Sequence, residues 1–226
     1  WEAKTLSRQR SWETLVHEKD IDQTNAVLTL NNIVSVYNNE QKFPEMDAYC
    51  ISKLYADWKG LSQTAITTAL SVDNILDTID DMFVDQSEHR VTPTGRILYV
   101  TPTVAKLIRN ARAIDRQISI SNFGGRVTRD VNAIDNVIIE EVPSELMQTA
   151  SDFSEGWKKG VSAKQINMLL VDPNAVITPV SYSAARLDPP SAGSKNKWVY
   201  FEESYEDVFI LNQKVHGLKF HCETGA

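Results

Sequence analysis

The hydrophobic positions of the chain repeat with two periods, one typical of helices and one typical of strands. A first helical stretch is expected behind Asp22 or Thr24 as its N-cap. Its apolar positions are Val27, Leu30, Ile33, Val34 and Tyr37. After a break, Pro44 occupies the first turn of a second helical stretch, which Gly60 ends. Together the two stretches predict a long, interrupted helical spine.

Two further helices are expected beyond the spine. Ser71 is the predicted N-cap of the first of them. Its apolar face comprises Val72, Ile75, Leu76, Ile79, Met82 and Phe83. The second follows a short strand over 96–100, with Thr101 as its cap and Pro102 in its first turn. Arg109 and Arg112 then lie near its negative end, which favours cations.

Strand patterns dominate the second half of the chain. Strands are predicted over 137–142, 166–171, 198–202, 208–211 and 218–222, with an apolar stretch over 173–182 and an irregular segment up to Gly193. Residues 1–19 alternate only in part, which indicates an exposed hairpin arm rather than a core element. Because helices and strands are mixed without strict alternation, the sequence predicts an α+β fold rather than a doubly wound α/β sheet.

Composition narrows the range of functions. With 226 residues, 42% of them hydrophobic and 23% charged, the chain is long enough for one large domain or two small ones. It contains no run of about 18 apolar residues, so no membrane partner is expected. A net charge of −7 disfavours tight binding to a phosphate backbone. Cys50 and Cys222 are far apart in sequence and are expected to act as small buried hydrophobes.

The candidate chemistry is sparse. An acidic row on one helical face, Asp73, Asp77, Asp80 and Asp81, lies opposite the apolar stripe and is best explained as a solvated surface. His216, His221 and Cys222 lack the spacing of a zinc site. The stretch "NFGGRVTR" lacks the ending of a phosphate-binding loop. We therefore expect no catalytic residue, no metal and no cofactor, and predict a protein that works through its surfaces.

Three stretches, in this order, resemble the major capsid proteins of tailed bacteriophages, which share the Hong Kong 97-type fold. The first is "DIDQTNAVLTLNNIVSVYNNEQKFPEMDAYCISKLYADW", similar to the acidic turn and spine helix of that family. The second is "TPTGRILYVTPTVAKLI", similar to its strand-Pro-helix element. The third is "INMLLVDPNAVITPVSYSAARLDPP" with the strands that follow it. The likeness covers nearly the whole chain.

The resemblance implies a division of the chain into four parts. Residues 1–20 would be part of the extended E-loop, 21–58 the peripheral domain with its spine helix, 59–171 the axial domain, and 172–226 a return to the peripheral domain. As an intersubunit arm, residues 1–19 would bury little within their own subunit. Because the chain starts at Trp1 in mid-pattern, we expect a preceding segment, which in the family holds the N-terminal arm and the ascending half of the E-loop.

The resemblance also implies function and partners. The chain would be a non-enzymatic subunit of an icosahedral head, assembled in the host cytoplasm from pentamers and hexamers of identical subunits. Scaffolding, portal or decoration proteins would be further partners, and packaged DNA would lie nearby without specific binding. Intersubunit contacts are expected on the arm and on a glycine-containing loop tip: Arg8, Arg10, Trp12, Phe123, Gly124, Gly125 and Arg126.

Two alternatives remain open on the sequence. A bacterial nanocompartment shell has the same fold but encloses enzymes instead of a genome. A metal-dependent enzyme would use the acidic row from Asp73 to Asp81, or the group of His216, His221 and Cys222.

Overall fold

The computed structural model describes residues 1–23, 29–111, 133–134, 137–154 and 156–224. The helices are α1 (Glu18–Gln23), α2 (Leu30–Tyr37), α3 (Phe43–Gly60), α4 (Ile75–Glu88) and α5 (Pro102–Asn110). The strands are β1 (Arg8–Val16), β2 (Ile97–Val100), β3 (Ala133–Ile134), β4 (Val137–Glu141), β5 (Ser151–Asp152), β6 (Lys158–Lys159), β7 (Ile166–Val171), β8 (Val176–Ile177), β9 (Val180–Asp188), β10 (Trp198–Glu206), β11 (Phe209–Ile210) and β12 (Leu218–Cys222). Among the helices described, none is long and apolar enough to cross a membrane.

The chain forms two compact units. The first contains Trp1–Cys50 and Thr178–Phe209, and the second contains Ile51–Ile177 and Ile210–Ala226. The tail is thus divided between the units, whereas the sequence assigned all of 172–226 to one domain. The mixture of helices and mostly antiparallel strands confirms the α+β prediction, since β2 and β4 are the parallel neighbours in an otherwise antiparallel sheet.

The spine is more continuous than the sequence indicated. One π-helical turn over Asn38–Lys42 joins α2 to α3, so the predicted break is wrong. The N-cap is Thr29, whose hydroxyl accepts a hydrogen bond from the amide of Asn32 at 3.4 Å. Asp22 lies inside α1 instead, while Thr24 and Val27 fall outside the described residues. Gly60 ends the spine as predicted.

The first unit contains a three-stranded antiparallel sheet in the order β1-β10-β9. Strand β1 pairs with β10 along all nine of its residues, from Arg8 opposite Glu206 to Val16 opposite Trp198. The expectation that the opening segment buries little within its own subunit is therefore wrong, because its backbone hydrogen bonds are satisfied inside the chain. The segment up to Gly193, which was expected to be irregular, is in part a strand, since β9 continues to Asp188.

The second unit is built on a five-stranded sheet in the order β12-β7-β2-β4-β3. Helices α4 and α5 contribute their apolar faces to its core, which includes Ile75, Ile79, Met82, Leu98, Val104, Ile108, Met168 and Leu170. Helix α4 begins at Ile75 rather than behind Ser71, because the Asn74 side chain accepts a hydrogen bond from the Ser71 amide at 2.7 Å and closes a turn there. Strands β7 and β12 have the predicted boundaries.

Gly217 marks a close approach between two segments of the second unit. Its carbonyl oxygen accepts hydrogen bonds from the Asp172 amide at 2.7 Å and from Gln86 Nε2 at 2.9 Å. A Cβ at this position would lie 2.5 Å from the Cβ of Ala175, which is closer than side chains tolerate. Only glycine therefore fits at the start of β12.

We expect Gly217→Ala to lower the free energy of unfolding by about 1–3 kcal/mol, because the added methyl group overpacks a buried contact. The matched control is Gly193→Ala, where the nearest atom would be 3.8 Å from the new Cβ. The control should change stability by no more than about 0.5 kcal/mol. Urea denaturation of both variants checks this, and equal stability of the two would show that the Ala175 contact relaxes without cost.

Candidate assembly surface

The side chains singled out as candidate metal ligands lie in ordinary structural positions. Asp73, Asp77, Asp80 and Asp81 are all exposed around α4. His216 stacks on His89 with ring centroids 3.6 Å apart. His221 is buried, and its Nε2 lies 2.8 Å from the carbonyl oxygen of Thr68. Among the described residues, no three His, Cys, Asp or Glu side chains form a group that could hold a metal ion.

The two cysteines are both free thiols. Cys222 is buried in β12, and Cys50 is half-buried in α3. Burial raises the pKa of each thiol to about 11. Both therefore stay protonated near neutral pH, as expected of small hydrophobic residues.

The three arm residues expected at intersubunit contacts lie on one face of β1. Residues at even positions of this strand are less exposed than those at odd positions. Arg8 is only 8% exposed, and its Nη2 lies 3.0 Å from Glu45 Oε1. Arg10 Nε approaches the same oxygen at 2.6 Å, and the Trp12 ring stacks on Tyr37 at 4.1 Å. The face that carries Arg8, Arg10 and Trp12 is thus directed toward the chain's own helices.

Glu202 is the centre of a polar cluster on this face of the sheet. It accepts hydrogen bonds from Trp12 Nε1 at 3.2 Å and from the Tyr200 hydroxyl at 3.0 Å, and it pairs with Lys42. Burial works against its charged form, but the Lys42 ammonium and the two hydrogen bonds outweigh burial and lower the pKa of Glu202. The carboxylate therefore joins β1, β10 and the π-helical turn.

Asp207 joins three other parts of the first unit. It accepts hydrogen bonds from the amide and the hydroxyl of Ser7 at 2.8 and 3.0 Å, from the Tyr49 hydroxyl at 2.9 Å and from the Val208 amide at 2.8 Å. Burial opposes ionisation, but these bonds dominate and lower the pKa of Asp207. Ser7 and Asp207 are 200 positions apart, so the start of the chain is fastened to its far end.

We expect Asp207→Asn to cost about 1.5–3 kcal/mol at pH 7, because an amide cannot accept from all of these donors. A lowered folded-state pKa means that the carboxylate stabilises the protein above its unfolded pKa, near 3.8, and loses this effect as the pH falls further. The gap between wild type and variant should thus close toward pH 3. Urea unfolding at both pH values checks this, with exposed Asp188→Asn as the control. A gap that persists at pH 3 would contradict the assignment.

The remaining surface of the sheet is open. Eight of the nine residues of β9 are exposed, on both faces of the strand. They include Val180, Tyr182 and Leu187, whose exposed fractions are 62%, 47% and 50%. Leu15 is exposed on β1, the opposite outer strand. A monomer rarely leaves a long outer strand and its apolar side chains uncovered, because such an edge pairs readily with other chains.

The second predicted contact region, from Phe123 to Arg126 with Gly124 and Gly125, lies outside the described residues. Its role in assembly stays a prediction.

No family model and no curated protein matches the sequence. Solved structures do match. A structure from Mycobacterium phage Che8 is 13% identical with a TM-score of 0.63, covering 100% of this chain and 78% of that one. The mature capsid of bacteriophage PhiM1 is 12% identical with a TM-score of 0.65, covering 99% and 73%. The capsid of cyanophage P-SCSP1u is 10% identical with a TM-score of 0.62, covering 98% and 73%.

The chain has the Hong Kong 97-type capsid fold. The resemblance seen in the sequence is thereby confirmed at the level of the fold. At 10–13% identity, the likeness lies in the arrangement of helices and strands rather than in shared side chains.

Sequence reasoning missed the residues that organise the first unit: Glu45, Glu202 and Asp207. For Glu202 and Asp207 the available signal was the stretch "YFEESYED", which begins in the predicted strand over 198–202 and mixes acidic with aromatic side chains. If the acidic residues on one face of a strand are buried, they require cationic or hydroxyl-bearing partners. Arg8, Arg10 and Lys42 were available for this role elsewhere in the chain.

Proposed function

We propose that this protein is the structural subunit of an icosahedral bacteriophage head, which self-assembles into the shell that encloses a double-stranded DNA genome. The observation that supports this most strongly is the fold likeness to phage capsid structures, which covers 98–100% of the chain. Its partners are identical subunits in pentamers and hexamers, together with scaffolding, portal or decoration proteins. The protein functions in the virion without catalysing a reaction, and it is assembled in the host cytoplasm.

On this proposal, residues 21–58 and 172–226, which include the β9–β10 hairpin, belong to the peripheral domain, and 59–171 form most of the axial domain. Residues 1–20 contribute the returning part of the E-loop. The uncovered strand β9 supports a contact with a neighbouring subunit through Val180, Tyr182 and Leu187, since a symmetric assembly multiplies each such contact many times. Arg10, whose side chain remains 39% exposed beside Glu45, contributes at the opposite edge of the same sheet, and Gly124 and Gly125 at the capsomer centre.

Expression of the complete gene, followed by electron microscopy of the purified product, tests the proposal. Closed shells of uniform diameter are expected for the wild type. Tyr182→Glu combined with Leu187→Glu should abolish shells and leave a folded, dispersed protein, because two charges would be buried at the contact. Val84→Glu, at an exposed position of α4, is the control and should still assemble.

The outcomes separate the alternatives. Particles that contain genomic DNA support a phage head, whereas particles filled with a protein cargo would identify a nanocompartment shell. A wild-type product that stays monomeric together with its co-expressed phage proteins would overturn the proposal.

A further inference from the structure

Three of the four histidines lie in the second unit, around β12 and the end of α4. His221 is in β12, His216 is in the 3₁₀ segment that precedes this strand, and His89 follows α4. None of them has a role in the proposed function. Because histidine changes charge in the range of physiological pH, such a concentration in one unit has consequences for its stability.

His221 holds a connecting segment on the outer edge of β12. The ring is 1% exposed, and its Nε2 donates to the carbonyl oxygen of Thr68 at 2.8 Å. The same segment pairs with the strand through the Ile66 amide to Phe220 O at 2.9 Å and the Cys222 amide to Ile66 O at 2.8 Å. Residues 66–68 belong to the connection between the spine and α4. The two backbone hydrogen bonds of Ile66 and the bond from the His221 ring together hold this connection on β12.

Among the residues that the structure describes, the ring of His221 has only neutral partners, Asn167 and Thr68, so a proton on it would have no anion to compensate it. Because Nε2 already carries a hydrogen, the new proton goes to Nδ1, which lies 3.4 Å from Asn167 Nδ2, itself a donor. Two charged side chains lie two residues away along the chain: Lys219 in β12, which is paired with Asp85 at 3.0 Å, and Glu223 just after the strand, which is exposed. Burial lowers the pKa of His221, although its backbone bonds oppose this effect.

His216 and His89 form the second part of the cluster. Their rings are nearly parallel, with an interplanar angle of 7° and a centroid separation of 3.6 Å. A second proton on this stack would place two positive charges face to face, with Lys219 nearby as a third. Burial lowers the pKa of His216, and His89 and Lys219 lower it further, against the opposing effect of Asp85.

We propose that His221 and the His89–His216 stack form an acid-sensitive clasp, which releases segments 66–68 and 212–224 from the rest of the second unit below about pH 6. The first unit lacks such a device among its described residues. Its one histidine, His17, is half-buried and accepts a hydrogen bond from the nearby Lys19 amide, and carboxylates fasten the sheet. Acid therefore loosens the second unit before the first. If the protein forms a shell, as the proposed function states, the second unit is the part of each subunit that rearranges on acidification.

The direction of the pH effect follows from the linkage between proton binding and folding. A histidine whose folded-state pKa is lowered stabilises the fold above its unfolded pKa, near 6.5, and this stabilisation is lost as the pH falls below that value. For each histidine kept neutral in the fold, opening becomes roughly tenfold more favourable at pH 5.5 than at pH 7.5. Two such groups acting together would give roughly a hundredfold change.

Hydrogen exchange followed by mass spectrometry on the dispersed full chain at pH 7.5 and 5.5 tests the clasp, after correction for the intrinsic pH dependence of amide exchange. Peptides that cover 61–74 and 212–224 should lose protection by at least roughly tenfold on acidification. Peptides from β1 and β10 should keep theirs. Equal protection of 61–74 and 212–224 at both pH values in the wild type would overturn the proposal.

Variants assign the effect to particular rings. His221→Gln preserves a donor near Thr68 but cannot take up a proton, so the acid-induced loss in 61–74 should shrink by roughly tenfold. His216→Gln should do the same in 212–224, and it keeps the test available if His221→Gln fails to fold. His17→Gln is the control and should behave as wild type. A pH response unchanged in His216→Gln and in a folded His221→Gln would also overturn the proposal. Because these measurements use the dispersed chain, they are independent of shell assembly.

Discussion

Replacing Arg96 with methionine is expected to lower the free energy of unfolding by about 3–5 kcal/mol, one of the two largest effects of any single change we expect in this protein. The side chain is 2% exposed, and the residue directly precedes β2. Its guanidinium donates to the carbonyl oxygens of Thr92 at 3.0 Å, Phe83 at 3.2 Å and Val91 at 2.7 Å, and to the hydroxyl of Ser87 at 3.1 Å.

These four hydrogen bonds connect the residue before β2 to the last two turns of α4 and to the loop that follows this helix. One planar guanidinium supplies donors to several acceptors at once, here Phe83 and Ser87 in the last two turns of α4 and two carbonyl groups of the loop. Methionine preserves much of the volume but removes all four charge-assisted hydrogen bonds from a site with little room for water, and bonds to a charged group contribute about 1.5–3 kcal/mol each. Arg96→Lys should recover only part of the loss, because an ammonium at the end of a flexible chain cannot match the same geometry.

Arg109→Met provides the matched control. Arg109 is also an arginine of the second unit, but its pair with Glu141 at 2.8 Å lies at the surface, so its loss should cost at most about 1 kcal/mol. Urea denaturation monitored by circular dichroism measures both variants against the wild type. If the two arginine variants proved equally stable, Arg96 would not be the group that satisfies the end of α4.

The elements that sequence analysis placed correctly are those with strong local boundaries. Strand β7 combines six mostly apolar residues with a stop at Asp172 and Pro173, where the Asp172 carboxylate accepts from the Asn174 amide at 3.1 Å. Strand β12 begins after Gly217 for the steric reason given above. Helix α5 begins at Pro102, a residue that suits the first helical turn. Such signals act over a few residues and can be detected without knowledge of the fold.

The helix starts at Thr29 and Asn74 were misplaced because several polar residues compete for the cap. Asp22, Thr24, Ser71 and Asp73 have the right chemistry, and only the completed fold decides between them. The same applies to the π-helical turn, which keeps the spine continuous where its apolar period shifts. Local propensity indicated that helices exist there, but it did not determine their ends.

The polar contacts of the first unit could not be predicted from local patterns. Asp207 is 200 residues from Ser7, and Glu202 is 160 from Lys42, so no short-range period records these partners. A charged residue is expected at the surface by default, and Arg8 and Arg96 depart from this rule because acceptors within the fold surround them. The uncovered strand β9 was missed for the opposite reason: the sequence shows apolar side chains but not which of them lack a covering layer.

Trp58→Ala is the second change expected to cost about 3–5 kcal/mol, since it removes a large aromatic side chain from a packed core. Trp58 is 0% exposed in α3. Its ring lies 4.9 Å from that of Phe220 and 6.4 Å from that of Tyr55, while Tyr55 and Phe220 meet edge to face at 5.3 Å. These three rings join the C-terminal half of the spine to β12, so the loss of one weakens the packing of the other two.

A phenylalanine variant separates the contribution of ring packing at this position from any contribution of hydrogen bonding by the indole nitrogen. Among the described residues, Trp58 Nε1 has no hydrogen-bond partner, so Trp58→Phe removes no bond and should cost less than about half of what Trp58→Ala costs. Trp1→Ala, at a fully exposed tryptophan, controls for the loss of a tryptophan as such and should change stability by at most about 0.5 kcal/mol. Urea unfolding of all three variants orders them. A phenylalanine variant as unstable as the alanine variant would mean that Nε1 makes a buried bond, and that the stabilisation of the spine against β12 is polar as well as aromatic.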